Sequence, residues 1–445
     1  NKLLVVKAYE KMKRLAILQF LLTLLIACQG SALAGPASGG PSLEQQLRPF
    51  IALLSEQQRF DLHVQADLDV GKIDARLTRR GEDAFSLRVT HADYAFEMHR
   101  DVESLMLMLP THRRAMVARG QVDGPDHLSP RGFLDRVVSD QTRVLVYLKM
   151  ITAADEQGAA MLARNLLGLR FDRSAWTSST VSGLRVTFSE AGDAMTVATA
   201  DATVALRLTD PDQVSAMPSR SDIPTDWTVT ELPRVEMERA FARGVRRAFE
   251  VLAPSAKLTR PVREPRRVEH GELRWVEDQR LVILEGSPRE VGRAHGQLLR
   301  DEAQRCFDSV LYYFGVANTI RTGDWFLSDL RDAYARLAPH IPEHHKAEIN
   351  ALADAMDLPR EHVQLAGVFP ELFHCSGFAV FGSATKGGKL YHGRVLDYMT
   401  MIGLQQSAVT FLVMLDGKHA FMNVGYAGFI GSVTGMNEKQ ISLGE

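Results

Sequence analysis

His374-Cys375-Ser376-Gly377 stands immediately ahead of an apolar run, Phe378-Ala379-Val380-Phe381, and Thr385-Lys386-Gly387-Gly388-Lys389 follows with the composition of a turn. The chain then returns as Leu390-Tyr391-His392-Gly393-Arg394-Val395-Leu396-Asp397-Tyr398. Two short apolar runs around a glycine-bearing turn predict a β-hairpin. A hairpin of this length carries Arg394 and Asp397 back beside the start of the first strand, where Cys375 sits. A thiol, a cation and a carboxylate then meet at one strand end, the ingredients of nucleophilic catalysis by an activated cysteine. Taken alone, a cysteine ahead of a strand reads as a small buried hydrophobe. Arg394 and Asp397 separate Cys375 from that reading.

These residues belong to a longer series. A strand is followed by G-x-x-x-E-x-G opening a helix and then H-G, at Gly286, Glu290, Gly292, His295 and Gly296. Next come the Cys-Ser start at Cys375-Ser376 and an R-x-x-D-[WY] step at Arg394, Asp397 and Tyr398. A G-M-N-E-K step closes the series at Gly435, Met436, Asn437, Glu438 and Lys439. In this order they make the chain from Leu281 to Glu445 resemble the N-terminal-nucleophile hydrolases of the penicillin acyltransferase type, the isopenicillin N acyltransferase group. Bile salt hydrolases and penicillin V acylases are related to it.

The resemblance implies an αββα sandwich and a nucleophile that starts inside a precursor. The Cys375 thiol attacks the carbonyl of His374, an N-to-S acyl shift and hydrolysis follow, and Cys375 becomes N-terminal. Its new α-amine serves as base for its own thiol. An ordinary α-amine titrates at about 7.7–8.0, which suits it to a thiol that, free, titrates at about 8.5 and is little ionised at neutral pH. By the same resemblance Arg394 stabilises the thiolate and Asp397 holds the new ammonium by a charge-assisted hydrogen bond. Ser376, Tyr398, Asn437 and Glu438 support the site. Tyr398 fits either an acyl-pocket wall or core, and Asn437 and Glu438 fit either site residues or a turn after Thr434-Gly435. His295 and Gly296 are expected to pack their helix against the sheet. The family's β-chain carries an oxyanion-hole Asn and further substrate contacts near and beyond the position of Glu445. The expectation is therefore a C-terminally truncated sandwich, a gene fragment that supplies the nucleophile without its oxyanion donors.

The elements that hold these residues are legible from periodicity. In a domain over 269–445, Leu281-Val282-Ile283-Leu284 reads as a strand. Ser287, Pro288 and Glu290 then read as N-cap, first helical residue and capping box of a helix that continues through Gly292, His295, Leu298 and Leu299. Further helices are predicted over 329–337 and 343–356, with His344 and His345 in a solvated loop or helix start. Strands are predicted over 378–381, 390–391, 409–415 and 421–424. Residues 254–268 are Pro-rich and basic and read as a linker. Before it, residues 35–253 read as a β-rich domain. Leu62, Val64, Ala66, Leu68 and Val70 alternate with polar neighbours. Strands also follow at Ile73-Ala75-Leu77, Phe85-Leu87-Val89, Tyr94-Phe96-Met98 and Leu105-Leu107-Leu109. A helical stretch is expected over 132–169, strands over 184–188 and 196–208, and a closing helix through Met237, Phe241, Val245, Ala248, Phe249 and Leu252. This meander with helices on one face resembles the bacterial lipoprotein-carrier half-barrel, which implies contact with acyl chains or lipid. A plain structural β-domain fits the same pattern. The fold class is thus α+β, an antiparallel half-barrel with helices followed by the truncated sandwich.

Composition bounds the rest. Hydrophobic residues make 45% of the 445, charged residues 24%, and the net charge is −2, which gives no field for nucleic acid. Residues 1–34 comprise upstream residues and an export signal. The signal starts at Met12 with Lys13 and Arg14 ahead of an apolar run to Ala27. Ala32-Leu33-Ala34 is a signal-cleavage pattern, and Leu25-Ile26-Ala27-Cys28 is a lipobox in which Cys28 is lipidated and anchors the protein to a membrane. The location is therefore the bacterial periplasm or envelope, or outside the cell. Cys306 is the remaining cysteine, and a 306–375 bridge would silence the thiol. Scattered histidines without H-x-x-x-H, and the lack of C-x-x-C, give no metal motif; no cofactor is expected. The function expected is a self-activated cysteine amidohydrolase or acyltransferase acting on a small-molecule amide. The alternative is an envelope lipid- or lipoprotein-binding protein with an inactive hydrolase-like domain.

Overall fold

The structure is a computed structural model. It describes residues 42–52, 59–68, 71–81, 83–122, 124, 126–128, 164, 168–172, 174–179, 182–200, 202–210, 218–252, 263–372, 375–396 and 400–444. The chain divides into two compact units, one reaching Arg260 and taking in Ile320–Gly323, the other comprising the remainder from Pro261. The class is mixed α+β. Among the described residues no helix is long and apolar enough to cross a membrane. The export segment with Cys28 and nearly all of the helical stretch over 132–169 lie outside the described residues; Leu169 itself opens a strand.

The first unit is built on a twelve-stranded open sheet. Its strands are β1 (Phe60–Leu68), β2 (Gly71–Arg79), β3 (Phe85–Thr90), β4 (Ala95–Arg100), β5 (Ser104–Leu109), β6 (Arg114–Arg119), β7 (Leu169–Asp172), β8 (Ala175–Ser178), β9 (Arg185–Phe188), β10 (Ala194–Ala198), β11 (Thr203–Thr209) and β12 (Thr228–Pro233). The order is β12-β6-β5-β4-β3-β2-β1-β11-β10-β9-β8-β7. All neighbours are antiparallel except β12 and β6. Helices α1 (Leu43–Ala52) and α2 (Arg234–Leu252) complete the unit. The alternation read along β1 holds, with Leu62, Ala66 and Leu68 buried. They join Val204, Leu206, Met195 and Trp176 in a core that α1 enters through Leu43, Leu47 and Phe50. The expected strand over 196–208 is two strands, β10 and β11, joined by a turn in which Thr199 N donates to Ala202 O. Strands β6 and β12 escape the pattern for opposite reasons. Ala115, Met116, Val117 and Ala118 of β6 are all buried, so it does not alternate; β12 is an edge strand that buries none of its residues.

A buried ionic cluster ties α2 to this sheet. Glu238 is fully buried and accepts from Arg100 Nε at 2.9 Å, Arg234 Nε at 2.8 Å and the Leu128 amide at 2.7 Å. Arg100 also donates to Asp83 O, and Arg234 to Asp101 O, both at 2.9 Å.

The second unit contains β13 (Arg266–Val268), β14 (Gly271–Val276), β15 (Gln279–Gly286), α3 (Pro288–Leu298), α4 (Arg300–Phe307), α5 (Phe314–Thr322, as far as Thr319), α6 (Phe326–Leu337), α7 (Glu343–Met356) and α8 (Arg360–Val368). It ends with β16 (Ser376–Gly382), β17 (Gly388–Val395), β18 (Ala408–Leu415), β19 (Phe421–Tyr426), β20 (Thr434–Asn437) and β21 (Ser442–Gly444). Residues 266–268, read as linker, are instead the edge strand β13, which pairs with β14. Seven strands form one sheet in the order β13-β14-β15-β18-β19-β20-β21, and β16 with β17 forms a separate hairpin. The helix start predicted at Ser287 forms: Ser287 Oγ accepts from Glu290 N, and Glu290 Oε2 accepts from Ser287 N at 2.7 Å. Two glycines let α3 press on α7. A Cβ on Gly292 would stand 2.2 Å from Glu348 O, and one on Gly296 2.9 Å from Leu352 O.

Removing Glu238 leaves Arg100 and Arg234 buried without their shared counter-charge. Glu238→Ala is expected to lower the unfolding free energy by roughly 3–5 kcal/mol, read as a shifted midpoint in urea unfolding of the first unit. An unchanged midpoint would count against this role.

Candidate functional site

The predicted hairpin forms. Ser376 pairs with Val395, Gly377 with Arg394 and Phe378 with Gly393, all antiparallel. Thr385 Oγ donates to Lys389 O at 2.7 Å across the turn. Opposite Phe378, a Cβ on Gly393 would lie 2.5 Å from the Phe378 ring, so the ring covers the glycine. This register sets Arg394 one pair in from the strand start. Its Nη1 lies 3.9 Å from Cys375 Sγ.

Other elements hold the guanidinium in place. Arg394 Nη2 donates to Thr434 Oγ on β20. On β21, a Cβ at Gly444 would come within 3.3 Å of Arg394 Cβ, so the strand passes close over the arginine stem. His392, on the same strand as Arg394, bonds Ser442 Oγ through Nδ1 at 2.8 Å. Arg394 Nε is buried without a hydrogen-bond partner among the described residues. Tyr426, at the end of β19, completes the group. Burial, together with the nearby Cys306 and Cys375 thiols, pushes its phenol up to about 12, against the pull of Arg394.

Cys375 and Arg394 are therefore brought together, while His374, Asp397 and Tyr398 lie outside the described residues. Ser376 is exposed as the first residue of β16. Asn437 and Glu438 lie at the β20–β21 turn. Asn437 Oδ1 accepts from Lys439 N and Ile441 N, both at 3.0 Å, and closes the β20–β21 turn. Glu438 is paired with His419 at 2.8 Å. The residue of that stretch that reaches the guanidinium is Thr434, three before Asn437. Cys306 is fully buried on α4 and forms no disulfide with Cys375. Thr434 and Tyr426 were not singled out from sequence. Thr434 opens a short Thr-Gly-Met-Asn strand and Tyr426 ends an alternating one, and neither pattern marks a site residue. Among the described residues no group of His, Cys, Asp and Glu is arranged to hold a metal ion.

His295 packs rather than reacts. It is 2% exposed, its Nε2 accepts from the Gly428 amide at 2.9 Å, and its ring lies 4.9 Å from that of Phe411 of β18, tilted by 50°. The α3–sheet contact expected of it is present. Gly296, by contrast, faces α7. Burial lowers the His295 pKa from 6.5 to about 3, so the folded protein keeps the ring neutral.

The unfolded chain binds a proton at His295 below pH 6.5 that the folded chain refuses until about pH 3. This contribution to stability is complete above pH 6.5 and is lost as pH falls through that window. The slope reaches up to about 1.4 kcal/mol per pH unit. Urea unfolding from pH 7 to 4 should show a shallower fall for His295→Gln than for the wild type. Parallel curves would refute the assignment.

No protein-family model matches the chain. A stretch of 185 residues is 29% identical to Protein dcd1A of Dictyostelium discoideum, spanning 36% of this chain and 42% of that protein, so the chain spans about two fifths of the relative's length.

Proposed function

We propose that this protein is an exported cysteine N-terminal-nucleophile enzyme that cleaves its own His374–Cys375 bond and then hydrolyses a linear amide or transfers its acyl group. The observation that carries the reading is the 3.9 Å approach of Arg394 Nη1 to Cys375 Sγ across one hairpin. In the first step Sγ attacks the His374 carbonyl carbon and the Cys375 nitrogen leaves as an amine. Water then cleaves the thioester, giving the His374 carboxylate and a free thiol. In turnover the α-amine takes the thiol proton and Sγ attacks the substrate carbonyl. The leaving amine departs with that proton, and water or an acceptor amine releases the acyl group. Arg394 balances negative charge on sulfur, and Asp397 is assigned the α-ammonium. The second unit is, on this reading, part of an αββα sandwich. Met422, Val424 and Met436 are exposed on one face of its sheet, and such a face calls for a second layer.

A second reading is favoured by the first unit, whose twelve-stranded open sheet fits a lipoprotein-carrier half-barrel: a lipid-binding envelope protein with an inactive second unit. Treatment with a β-lactone and peptide mass mapping separates the two. An enzyme should acylate at Cys375, with Cys375→Ala unlabelled. Absence of Cys375 labelling, with lipid co-purifying on the first unit, would favour the carrier and sink the enzyme.

A further inference from the structure

Gly292 and Gly296 bring α3 close to α7, and beside that contact the two helices and the start of α8 border an open groove of about 360 Å³. That volume falls in the range of small-ligand clefts, roughly 300–1,000 Å³. Ala347, Ala351 and Ala355 of α7, spaced by four, set one row of methyl groups along it, so no large side chain fills the space. Arg289 and Arg293 line the groove from α3 and Arg360 lines it from the first turn of α8. Asp354 is the one carboxylate among its described lining residues. Arg360 holds that carboxylate as a fork, Nε to Oδ1 at 3.1 Å and Nη2 to Oδ2 at 3.0 Å. Arg360, and after it Arg289, keep the Asp354 carboxyl below the usual carboxylate range, so charge from α3 is felt across the groove. Arg289 and Arg293 are exposed and have no hydrogen bond or ion pair among the described residues. Like charges one helical turn apart repel each other, and here a third guanidinium joins them. Three cations against one carboxylate leave two positive charges in excess.

We propose that this groove binds a phosphate monoester, with Arg289 and Arg293 as the phosphate-binding forks and Arg360, held by Asp354, on the third side. Guanidinium forks match phosphate oxygens in pairs. A phosphate monoester carries a charge of about −1.5 to −2 at pH 7, so a single group balances the excess. Gln297 of α3 and Asn350 of α7 stand along the same groove, and their amides suit the hydroxyls of a small ligand body. The site is independent of the reaction assigned to Cys375. The same phosphate chemistry occurs on small soluble esters and on a lipid headgroup, and the two probes below tell them apart.

Calorimetric titration of the full chain with glycerol 3-phosphate, at fixed ionic strength, should give saturable binding at one site, and glycerol should give none. Arg289→Gln and Arg293→Gln should each weaken it by about tenfold or more, the worth of a hydrogen bond to a charged group. Ala351→Leu keeps every charge and fills the groove, and it should abolish binding. Urea unfolding checks the fold of each variant, and the two exposed arginine variants decide the matter where Ala351→Leu fails to fold. Vesicles of phosphatidylcholine with and without phosphatidic acid read the other source. Co-sedimentation that needs phosphatidic acid and is lost in Arg289→Gln and Arg293→Gln would assign the groove to a lipid headgroup. Absence of saturable binding to both glycerol 3-phosphate and phosphatidic acid would overturn the proposal. Binding that is unweakened in the arginine variants, or at full strength in a folded Ala351→Leu, would overturn it too, as a response to charge elsewhere on the surface.

Discussion

A one-residue slip in the pairing of β16 with β17 would turn Arg394 to the opposite face of the hairpin and away from Cys375. The register that prevents it, Gly377 opposite Arg394 and Phe378 over Gly393, is thus the constraint on which the candidate chemistry depends. Glycine at 393 leaves room for the Phe378 ring across the strand pair. The close passage of β21 then holds the arginine stem. Local turn chemistry and cross-strand packing together decide where one cation points.

The setting of that cation decides what it can do. Arg394 Nη1 stands 3.9 Å from Cys375 Sγ, within reach of a charge-assisted contact with sulfur. Thr434 occupies one Nη and leaves the other toward sulfur. Tyr426 supplies a neutral wall, because burial keeps its phenol protonated to about pH 12.

What could be read from the sequence was local. The capping box at Ser287 and Glu290 involves residues three apart, and helix α7 forms over the range its periodicity marked. The hairpin follows from two apolar runs and a glycine turn. The missed features are long-range or lack a period. Thr434 reaches Arg394 from 40 residues away. Strand β6 is apolar on both faces and so hides its alternation. The G-M-N-E-K stretch drew attention to Asn437 and Glu438, yet its neighbour Thr434 makes the contact, because strand pairing rather than motif order determines which side chain faces the site.

The first unit solves a different problem. An open sheet of twelve strands has a large face to cover, and Glu238 with its two arginines anchors α2 there through charge and hydrogen bonds as well as apolar area. For the second unit, the most direct measurement is the intact mass and N-terminal sequence of the purified protein. Self-cleavage predicts two chains, the second beginning at Cys375, and a single uncut chain for Cys375→Ala. A wild-type chain that stays whole across His374–Cys375 while turning over an amide would contradict it.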